Sequence, residues 1–415
     1  MTETAFASTF LKTLKERGYI HQITHTDELD EAARNGVISG YIGFDATAPS
    51  LHVGSLIQIM LLRRLQQAGH RPVVLMGGAT TKVGDPTGKD ASRKLLSDDE
   101  IAANIAGIRT VFEKFLTFGD GPTDAIMLDN DTWLSRFGYI EFLRQYGTQF
   151  TVNRMLAFDS VKLRLEREQP MTFLEFNYML MQSVDFLELY KAQGVTLQMG
   201  GSDQWGNITS GVDLIRRTGG RAFGLTTPLL TTASGAKMGK TASGAVWLNG
   251  EPYDYWQFWR NVDDADVGRF LRLFTDLPLD EIARLERLQG AEINEAKKVL
   301  ADACTSMLHG EAGAATARRA SEQAFEQGQL SADLPVIELA KDEWEAARST
   351  RALVKAAGFA RSLSEAARHM AGHAIRINDE LITEDRLHGY DELLPEHQAF
   401  KVQFGKKKIV LVRPV

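Results

Sequence analysis

The sequence has 415 residues, of which 44% are hydrophobic and 24% charged, the balance of an ordinary globular protein with about two or three domains. Its one cysteine, Cys304, excludes an intrachain disulfide and a cysteine-based metal site. No apolar run of about 18 residues predicts a membrane span. The N-terminal segment is typical of a helix that ends near Gly18, not of a signal peptide. We therefore expect a cytoplasmic protein.

The net charge of −7 at first argues against a nucleic-acid binder, but the charge is unevenly distributed. Residues 349–415 contain 11 Lys and Arg against 8 Asp and Glu, whereas the rest of the chain contains 36 against 46. A basic module on an acidic body suits a protein that holds RNA at one end. An excess of three charges is also compatible with chance, so the distribution permits an RNA partner without indicating one.

The first half of the chain contains a strand–helix–strand pattern. Residues 41–45 and 72–77 are typical of buried strands, and the apolar residues between Leu56 and Leu65 have helical spacing. Gly69 is a plausible end for that helix. Such a unit implies a parallel sheet with a right-handed crossover.

A similar unit follows later, with strands at 195–199 and 225–230 and a helix at 207–217 between them. In open parallel sheets, ligands bind at the carboxyl ends of the strands. We therefore expect three loops to line one crevice, at residues 45–55, 77–89 and 200–206.

The second half has a different character. Residues 251–330 are rich in Ala, Glu, Leu and Arg with a helical period, which predicts a helical domain. The pattern loosens near 331–348, and a compact α+β pattern begins at Arg361. The predicted fold class is therefore α/β, with a Rossmann-like parallel sheet followed by a helical domain and a small α+β domain.

Two short segments have the composition of phosphate-binding sites. His52-Val53-Gly54-Ser55 lies between a predicted strand and helix, where free N–H groups and the helix dipole attract anions. A histidine at such a place is more often a structural cap. Lys237 and Lys240 lie on a Gly-rich loop and could clamp a polyphosphate, although Lys-x-x-Lys is more commonly a solvated turn.

The segment from Gly84 to Lys89 resembles a P-loop at first sight but fails the test. Val83 stands where the pattern needs Gly, and Asp90 stands where it needs Ser or Thr. No G-x-G-x-x-G motif follows the first strand either. A nicotinamide-dependent oxidoreductase is therefore poorly supported.

The helix predicted over residues 172–190 is largely apolar but has one polar stripe. Tyr178, Gln182 and Asp185 follow each other at i, i+4 and i+7, so they share one face. Polar groups on a buried helix need hydrogen-bond partners. The stripe therefore either meets other protein groups or lines a polar pocket for a small molecule.

These segments together resemble the class I aminoacyl-tRNA synthetases. Residues 52–55 are similar to the first signature of that class, His-Ile-Gly-His, and residues 237–241 to the second, Lys-Met-Ser-Lys-Ser. The segments YIGFDAT, GGAT…GDPTG and GGSDQWGNI narrow the resemblance to the bacterial-type tyrosyl enzymes, over essentially the whole chain. One departure is Ser55, where the first signature has its second His; Ser55 has a shorter reach and no positive charge.

The resemblance implies roles for individual residues. Tyrosine would be bound by the phenol-reading pair Tyr41 and Asp185, by Tyr178, Gln182 and Asp85 at its ammonium, and by Gln204 near its carboxylate. ATP would be bound by Asp45, His52, Gly54 and Ser55, with Gly201 and Asp203 near its ribose. The catalytic groups would be His52 together with Lys89, Arg93, Lys237, Lys240 and Thr241 around the pyrophosphate.

The resemblance further implies ATP-dependent activation of L-tyrosine, transfer to tRNA(Tyr), a homodimer, and Mg²⁺ on the phosphates without a dedicated protein metal site. It implies a catalytic domain over residues 1–245, a helical domain over 246–340 and an RNA-binding domain of the ribosomal-protein type over 349–415. A tryptophanyl enzyme would share both signatures, but Tyr41 and Asp185 favour a phenol. A non-catalytic RNA-binding paralogue should lack the loop lysines, which are present.

Overall fold

The computed structural model describes residues 6–84, 96–233, 238, 240–241, 244–325, 334–395, 397–405 and 408–415. Two compact units divide the chain, the first comprising Met1–Met238 with Arg272–Phe274, and the second Gly239–Leu271 with Thr275–Val415. Within these described residues, no helix combines the length and the apolar character needed to cross a membrane.

The first unit is built on a six-stranded sheet in the order β1-β6-β5-β2-β3-β4. Its strands are β1 (Gln22–Ile23), β2 (Ser39–Phe44), β3 (Arg71–Met76), β4 (Ile126–Asp129), β5 (Val195–Gly201) and β6 (Phe223–Thr227). All neighbouring pairs are parallel except β1 with β6. This confirms the predicted α/β class with a parallel sheet.

Helices connect these strands. They are α1 (Thr9–Arg17), α2 (Thr26–Asn35), α3 (Leu56–Gln67), α4 (Gly78–Val83), α5 (Asp98–Phe112), α6 (Asp131–Leu134), α7 (Tyr139–Gln145), α8 (Val152–Leu156), α9 (Asp159–Glu166), α10 (Phe173–Phe176), α11 (Tyr178–Gln193) and α12 (Trp205–Arg217). The helix predicted near the N-terminus ends as expected, because Gly18 adopts φ 83°, a left-handed conformation that suits glycine.

The first strand–helix–strand unit forms because each of its elements is buried. Strand β3 and helix α3 are buried along most of their length, and Leu61, Leu62 and Val74 are 0% exposed. A buried parallel strand reads as a continuous apolar run, which explains why the sequence predicted it. The register Tyr41 to Val73 places Tyr41 in the middle of the sheet.

The long helix predicted over residues 172–190 is divided in the structure. Thr172 caps α10, and α11 begins at Tyr178. The side chain of Asn177 donates a hydrogen bond to the carbonyl of Phe173 (2.6 Å). Such a local side-chain bond competes with the helical ladder and accounts for the break.

The second unit begins with two short strands and a helical part. These elements are β7 (Lys240–Thr241), β8 (Gly244–Ala245), α13 (Pro252–Arg260), α14 (Val267–Phe274), α15 (Leu279–Leu285) and α16 (Ile293–Phe325). The last three residues of α14 are counted with the first unit. Helix α16 reverses at Gly310, where φ is 78°. Asp302 and Arg318, equally far from Gly310, form an ion pair at 2.6 Å, so the two halves lie side by side.

A five-stranded sheet in the order β11-β10-β12-β13-β9 follows. Its elements are β9 (Val336–Leu339), α17 (Lys341–Ala347), α18 (Thr350–Ala356), α19 (Leu363–Ala371), β10 (Ile375–Ile377), β11 (Glu380–Leu381), β12 (Phe400–Phe404) and β13 (Lys408–Pro414). The sheet and its helices enclose their own core around Trp344 and Phe400, which stack at 5.1 Å.

Strand β9 runs parallel to β13, so residues assigned by sequence to the end of the helical domain pair with the C-terminal sheet. Tyr253 of α13 also shares a buried cluster with Ile409 and Leu411 of β13. The helical part and the sheet therefore have core residues in common. The division into three functional domains stays a prediction.

Candidate active site

The carboxyl ends of the parallel strands bring together residues that are distant in the sequence. Tyr41 lies on β2, Asp45 follows that strand, and Gly201 ends β5. Helix α11, with its polar stripe, packs against the same sheet, since the rings of Tyr41 and Phe186 lie 5.3 Å apart. The fold therefore places β2, β5 and α11 side by side, while the full crevice of three loops stays a prediction.

Asp185 is a buried carboxylate with two well-defined donors. It is 2% exposed. Its Oδ1 accepts a hydrogen bond from Trp133 Nε1 (2.7 Å) and its Oδ2 accepts one from Asn130 Nδ2 (2.9 Å). Burial raises the pKa of Asp185 to about 7, and the two donors oppose that rise. Each oxygen has a second lone pair, so the carboxylate can still accept a bond from a ligand.

Tyr41 lies beside this carboxylate. It is 1% exposed, and its hydroxyl has no hydrogen-bond partner among the described residues. Burial raises the pKa of Tyr41 well above its usual value, and the charge of Asp185 adds to that rise. A buried hydroxyl without a partner is costly in a folded protein, so it indicates a place where a ligand supplies the missing bond.

A second polar group lies on the same helix one turn earlier. Gln182 Nε2 donates to Gln204 Oε1 (3.3 Å), and Asn207 Nδ2 donates to Gln182 Oε1 (3.0 Å). Asn207 also donates to Gln204 (3.1 Å). A hydrogen bond therefore connects Gln182, expected at the ammonium of the bound amino acid, with Gln204, expected near its carboxylate. Tyr178, on the same face, is buried.

His52 is a structural cap, the alternative to a phosphate-binding role. Its Nδ1 accepts a hydrogen bond from the backbone N–H of Gly54 (3.0 Å), which caps the short 3-10 turn Val53–Ser55 before α3. A Cβ at Gly54 would lie 2.6 Å from His52 Cε1, so a side chain at this position would displace the capping ring. A role of His52 toward ATP stays a prediction. Ser55 makes no side-chain cap to α3.

The ribose residues lie where β5 meets α12. Gly201 ends the strand, and Asp203 lies in the 3-10 turn Ser202–Gln204. A Cβ at Gly201 would lie 2.5 Å from Asp203 Oδ1. The Asp203 carboxylate therefore lies close against the end of β5.

Several predicted site residues cannot be placed against this pocket. Asp85, Lys89, Arg93 and Lys237 lie outside the described residues. Lys240 and Thr241 form β7, which pairs with Gly244–Ala245 in the second unit. Their assigned roles stay predictions.

Asn130 and Trp133, the two donors to Asp185, were not predicted from the sequence. Both follow β4, a strand that the sequence analysis did not identify. The apolar run at residues 125–128 followed by Asp129 and Asn130 was the available signal, because it resembles the other strands of the sheet. Asn207, which connects Gln182 and Gln204, was also missed.

Among the residues described by the structure, no group of three or more His, Cys, Asp or Glu side chains could hold a metal ion. The polar groups around Tyr41 and Gln182 are amides, hydroxyls, an indole and the carboxylate of Asp185, which suit an organic ligand with hydrogen-bonding ends.

The chain is similar to a family of known proteins. The pattern of the family "tRNA synthetases class I (W and Y)" matches residues 33–326. The tyrosine–tRNA ligase of Caulobacter vibrioides is 70% identical over 416 residues, covering 99% of each chain. That of Novosphingobium aromaticivorans is 57% identical over 414 residues, with the same coverage.

Among solved structures, a C-terminally truncated mitochondrial tyrosyl-tRNA synthetase of Aspergillus nidulans superposes with a TM-score of 0.68 at 31% identity. It covers 76% of this chain and 94% of its own. The resemblance to the bacterial-type tyrosyl enzymes that the sequence predicted is thereby confirmed. The chain therefore belongs to the class I tRNA synthetases, within the family of bacterial-type tyrosyl-tRNA synthetases.

Proposed function

We propose that this protein activates L-tyrosine with ATP and transfers the tyrosyl group to the 3′-terminal ribose of tRNA(Tyr). The observation that carries the choice of amino acid is the pair of Tyr41 and Asp185. One is a buried hydroxyl without a partner among the described residues, and the other is a buried carboxylate beside it. Together they provide a donor and an acceptor for a phenol.

In the first step, the tyrosine carboxylate attacks the α-phosphorus of ATP, and the bond to the departing pyrophosphate breaks. The carboxylate is already a nucleophile, so the step needs no general base. Catalysis then consists of positioning both substrates and stabilising charge on the pyrophosphate. His52, Lys89, Arg93, Lys237, Lys240 and Thr241 are our candidates for that stabilisation.

The amino-acid backbone would lie over the amide network of Gln182, Gln204 and Asn207. With Tyr178 and Asp85, these groups would hold the ammonium and keep the carboxylate directed at ATP. Asp45, Gly54, Ser55, Gly201 and Asp203 would hold the nucleotide. In the second step, a ribose hydroxyl of the tRNA attacks the carbonyl carbon of the adenylate and AMP leaves.

We expect Mg²⁺ to arrive with the phosphates. Phosphate oxygens and water are the ligands that Mg²⁺ commonly keeps when a protein offers few of its own. The ion would neutralise the pyrophosphate, and activation should stop when EDTA removes it.

We also propose a homodimer that acts in the cytoplasm. Large apolar side chains are exposed along one stretch of the first unit, including Tyr139 (63%), Ile140 (64%), Val152 (59%) and Phe173 (66%). Such a concentration of exposed apolar surface is typical of a protein–protein contact. Sedimentation at micromolar concentration tests this, and a monomer would contradict it.

ATP–pyrophosphate exchange, measured with each amino acid in turn, tests the main proposal. We expect exchange with tyrosine and little with phenylalanine or tryptophan. Exchange driven by tryptophan would instead support the other branch of the family. Charging of tRNA with labelled tyrosine then tests the second step.

A further inference from the structure

We propose that helix α5 positions the loop 45–52 for ATP by clamping the Ala46 peptide and the Pro49 carbonyl. This inference rests on the proposed function, because Asp45 and His52 at the ends of that loop are our candidates for ATP contacts. Thr81 on α4, and Asn104 and Gly107 on α5, would be positioning residues that act through the loop.

The Ala46 backbone is held from two sides. Ala46 is 0% exposed. Its N–H donates to Thr81 Oγ1 (2.9 Å), and its carbonyl accepts from Asn104 Nδ2 (2.8 Å). Both polar groups of this buried residue are thus satisfied by side chains from two different helices. Neither bond belongs to a helix or sheet ladder, so removing either side chain leaves a backbone group without that partner.

Gly107 allows the second contact of the clamp. A Cβ at this position would lie 2.2 Å from the carbonyl oxygen of Pro49. Glycine inside a helix is less favourable than alanine by about 1 kcal/mol. Gly107 lies in the interior of α5, which spans Asp98–Phe112, so its absence of a side chain weakens the helix but lets the loop approach it.

The loop has little regular structure of its own, which is why such a clamp matters. It leaves β2 at Phe44 and enters the 3-10 turn at Val53. Between these points its backbone would need to order itself each time ATP binds if nothing held it. A loop already fixed in the binding geometry avoids that cost, and small displacements of positioning groups lower rates strongly.

If α5 clamps the loop, loss of the clamp should weaken the use of ATP and leave tyrosine binding unchanged. Tyr41 lies inside β2, and Gln182 and Asp185 lie on α11, so none of them lies on α5. Asn130, a donor to Asp185, also donates a hydrogen bond to Thr80 Oγ1 on α4 (3.0 Å), so the α5 variants give the sharper test. If α5 only stabilised the fold, its variants would weaken the binding of both substrates together, or they would lower only the free energy of unfolding. Separate measurements for ATP and tyrosine therefore distinguish the two roles.

Thr81 offers a matched pair of variants. Thr81→Val keeps the shape of the side chain but removes the acceptor of the Ala46 N–H, whereas Thr81→Ser keeps that oxygen. Asn104→Ala removes the donor to the Ala46 carbonyl. Gly107→Ala inserts a methyl group against Pro49 while making the isolated helix more favourable.

The control is Thr110→Ala. Thr110 lies on the same helix, and its hydroxyl donates to the Gly107 carbonyl within that helix (2.8 Å). This variant alters α5 without touching the loop, so it should behave as the wild type.

The experiment measures the rate of tyrosyl-adenylate formation by stopped flow at increasing ATP, tyrosine affinity by equilibrium dialysis, and folding by circular dichroism. We expect Asn104→Ala, Thr81→Val and Gly107→Ala each to lower the apparent second-order rate constant for ATP by about tenfold, since each disturbs a buried contact of the loop. Tyrosine affinity should stay within about twofold, and Thr81→Ser should recover most of the rate.

Two results would overturn the clamp: unchanged ATP dependence in folded Asn104→Ala and Thr81→Val proteins, or an equal loss of affinity for both substrates. If Gly107→Ala does not fold, the other two variants decide the question. Failure of the proposed function would be seen differently, as a wild-type protein without tyrosine-dependent exchange.

Discussion

The substitution Tyr41→Phe separates the role of this hydroxyl in the pocket from its role in the fold. In the part of the chain that the structure describes, the hydroxyl is buried and has no hydrogen-bond partner. Its removal therefore costs the free protein no described bond and relieves an unsatisfied group, for which the penalty is about 1–3 kcal/mol. The phenyl ring keeps its contact with Phe186. We expect the free energy of unfolding without ligand to be unchanged or higher.

The value of kcat/KM for tyrosine should fall, although the stability of the free protein does not. A hydrogen bond between neutral groups contributes about 0.5–1.5 kcal/mol, so tyrosine should lose about 2- to 13-fold in kcat/KM. Phenylalanine has no hydroxyl to pair with Tyr41 and should lose little or gain. The ratio of the two values of kcat/KM should therefore narrow by about this factor, as measured by pyrophosphate exchange.

Urea unfolding and exchange kinetics on the same preparations test the reasoning. A folded Tyr41→Phe protein with an unchanged tyrosine/phenylalanine ratio would show that Tyr41 does not read the phenol. A loss of about 1 kcal/mol or more in the free energy of unfolding would show that the hydroxyl already has a partner in the free protein.

Three further predictions concern charge and modularity. Since burial raises the pKa of Asp185 to about 7, its charged, accepting form is present above that pH and lost below it. The value of kcat/KM for tyrosine should fall as pH decreases through 7, and a flat profile from about pH 6 to 8 would contradict this. Replacing Lys237 or Lys240 with Ala should slow adenylate formation by a factor equivalent to about 1.5–3 kcal/mol with tyrosine affinity unchanged; unaltered activation rates in both would refute a transition-state role. A chain ending near residue 331, so that strand β9 leaves together with its sheet, should still form adenylate but charge tRNA poorly. In the full-length protein, tRNA binding should weaken steeply with salt, and normal charging by the shortened chain would exclude a need for the C-terminal sheet.

The sequence alone does not show where the C-terminal sheet begins. Composition located a change near residues 331–348, but Val336–Leu339 belongs to the C-terminal sheet by its parallel pairing with β13. A strand of four residues has too little pattern to reveal its partner, which lies about 70 residues later. Register between distant strands is set by packing and by the hydrogen-bond ladder.

Much of the fold was nevertheless determined locally. Buried parallel strands have continuous apolar runs, and the helices between them have apolar residues at helical spacing. The elements β2, α3 and β3 and the later unit around α12 were therefore predictable. The same spacing placed Tyr178, Gln182 and Asp185 on one helix face, because i, i+4 and i+7 positions align whatever surrounds them.

The tertiary structure alone decided what that face meets. Asp185 obtains its donors from Asn130 and Trp133, which precede it by 55 and 52 residues and follow a strand that the sequence analysis did not identify. The same is true of the Ala46 peptide, whose two partners come from separate helices. Helical and strand periodicity fix which way a side chain faces along its own element. Which other element lies there depends on burying all apolar faces at once, and no local segment contains that information.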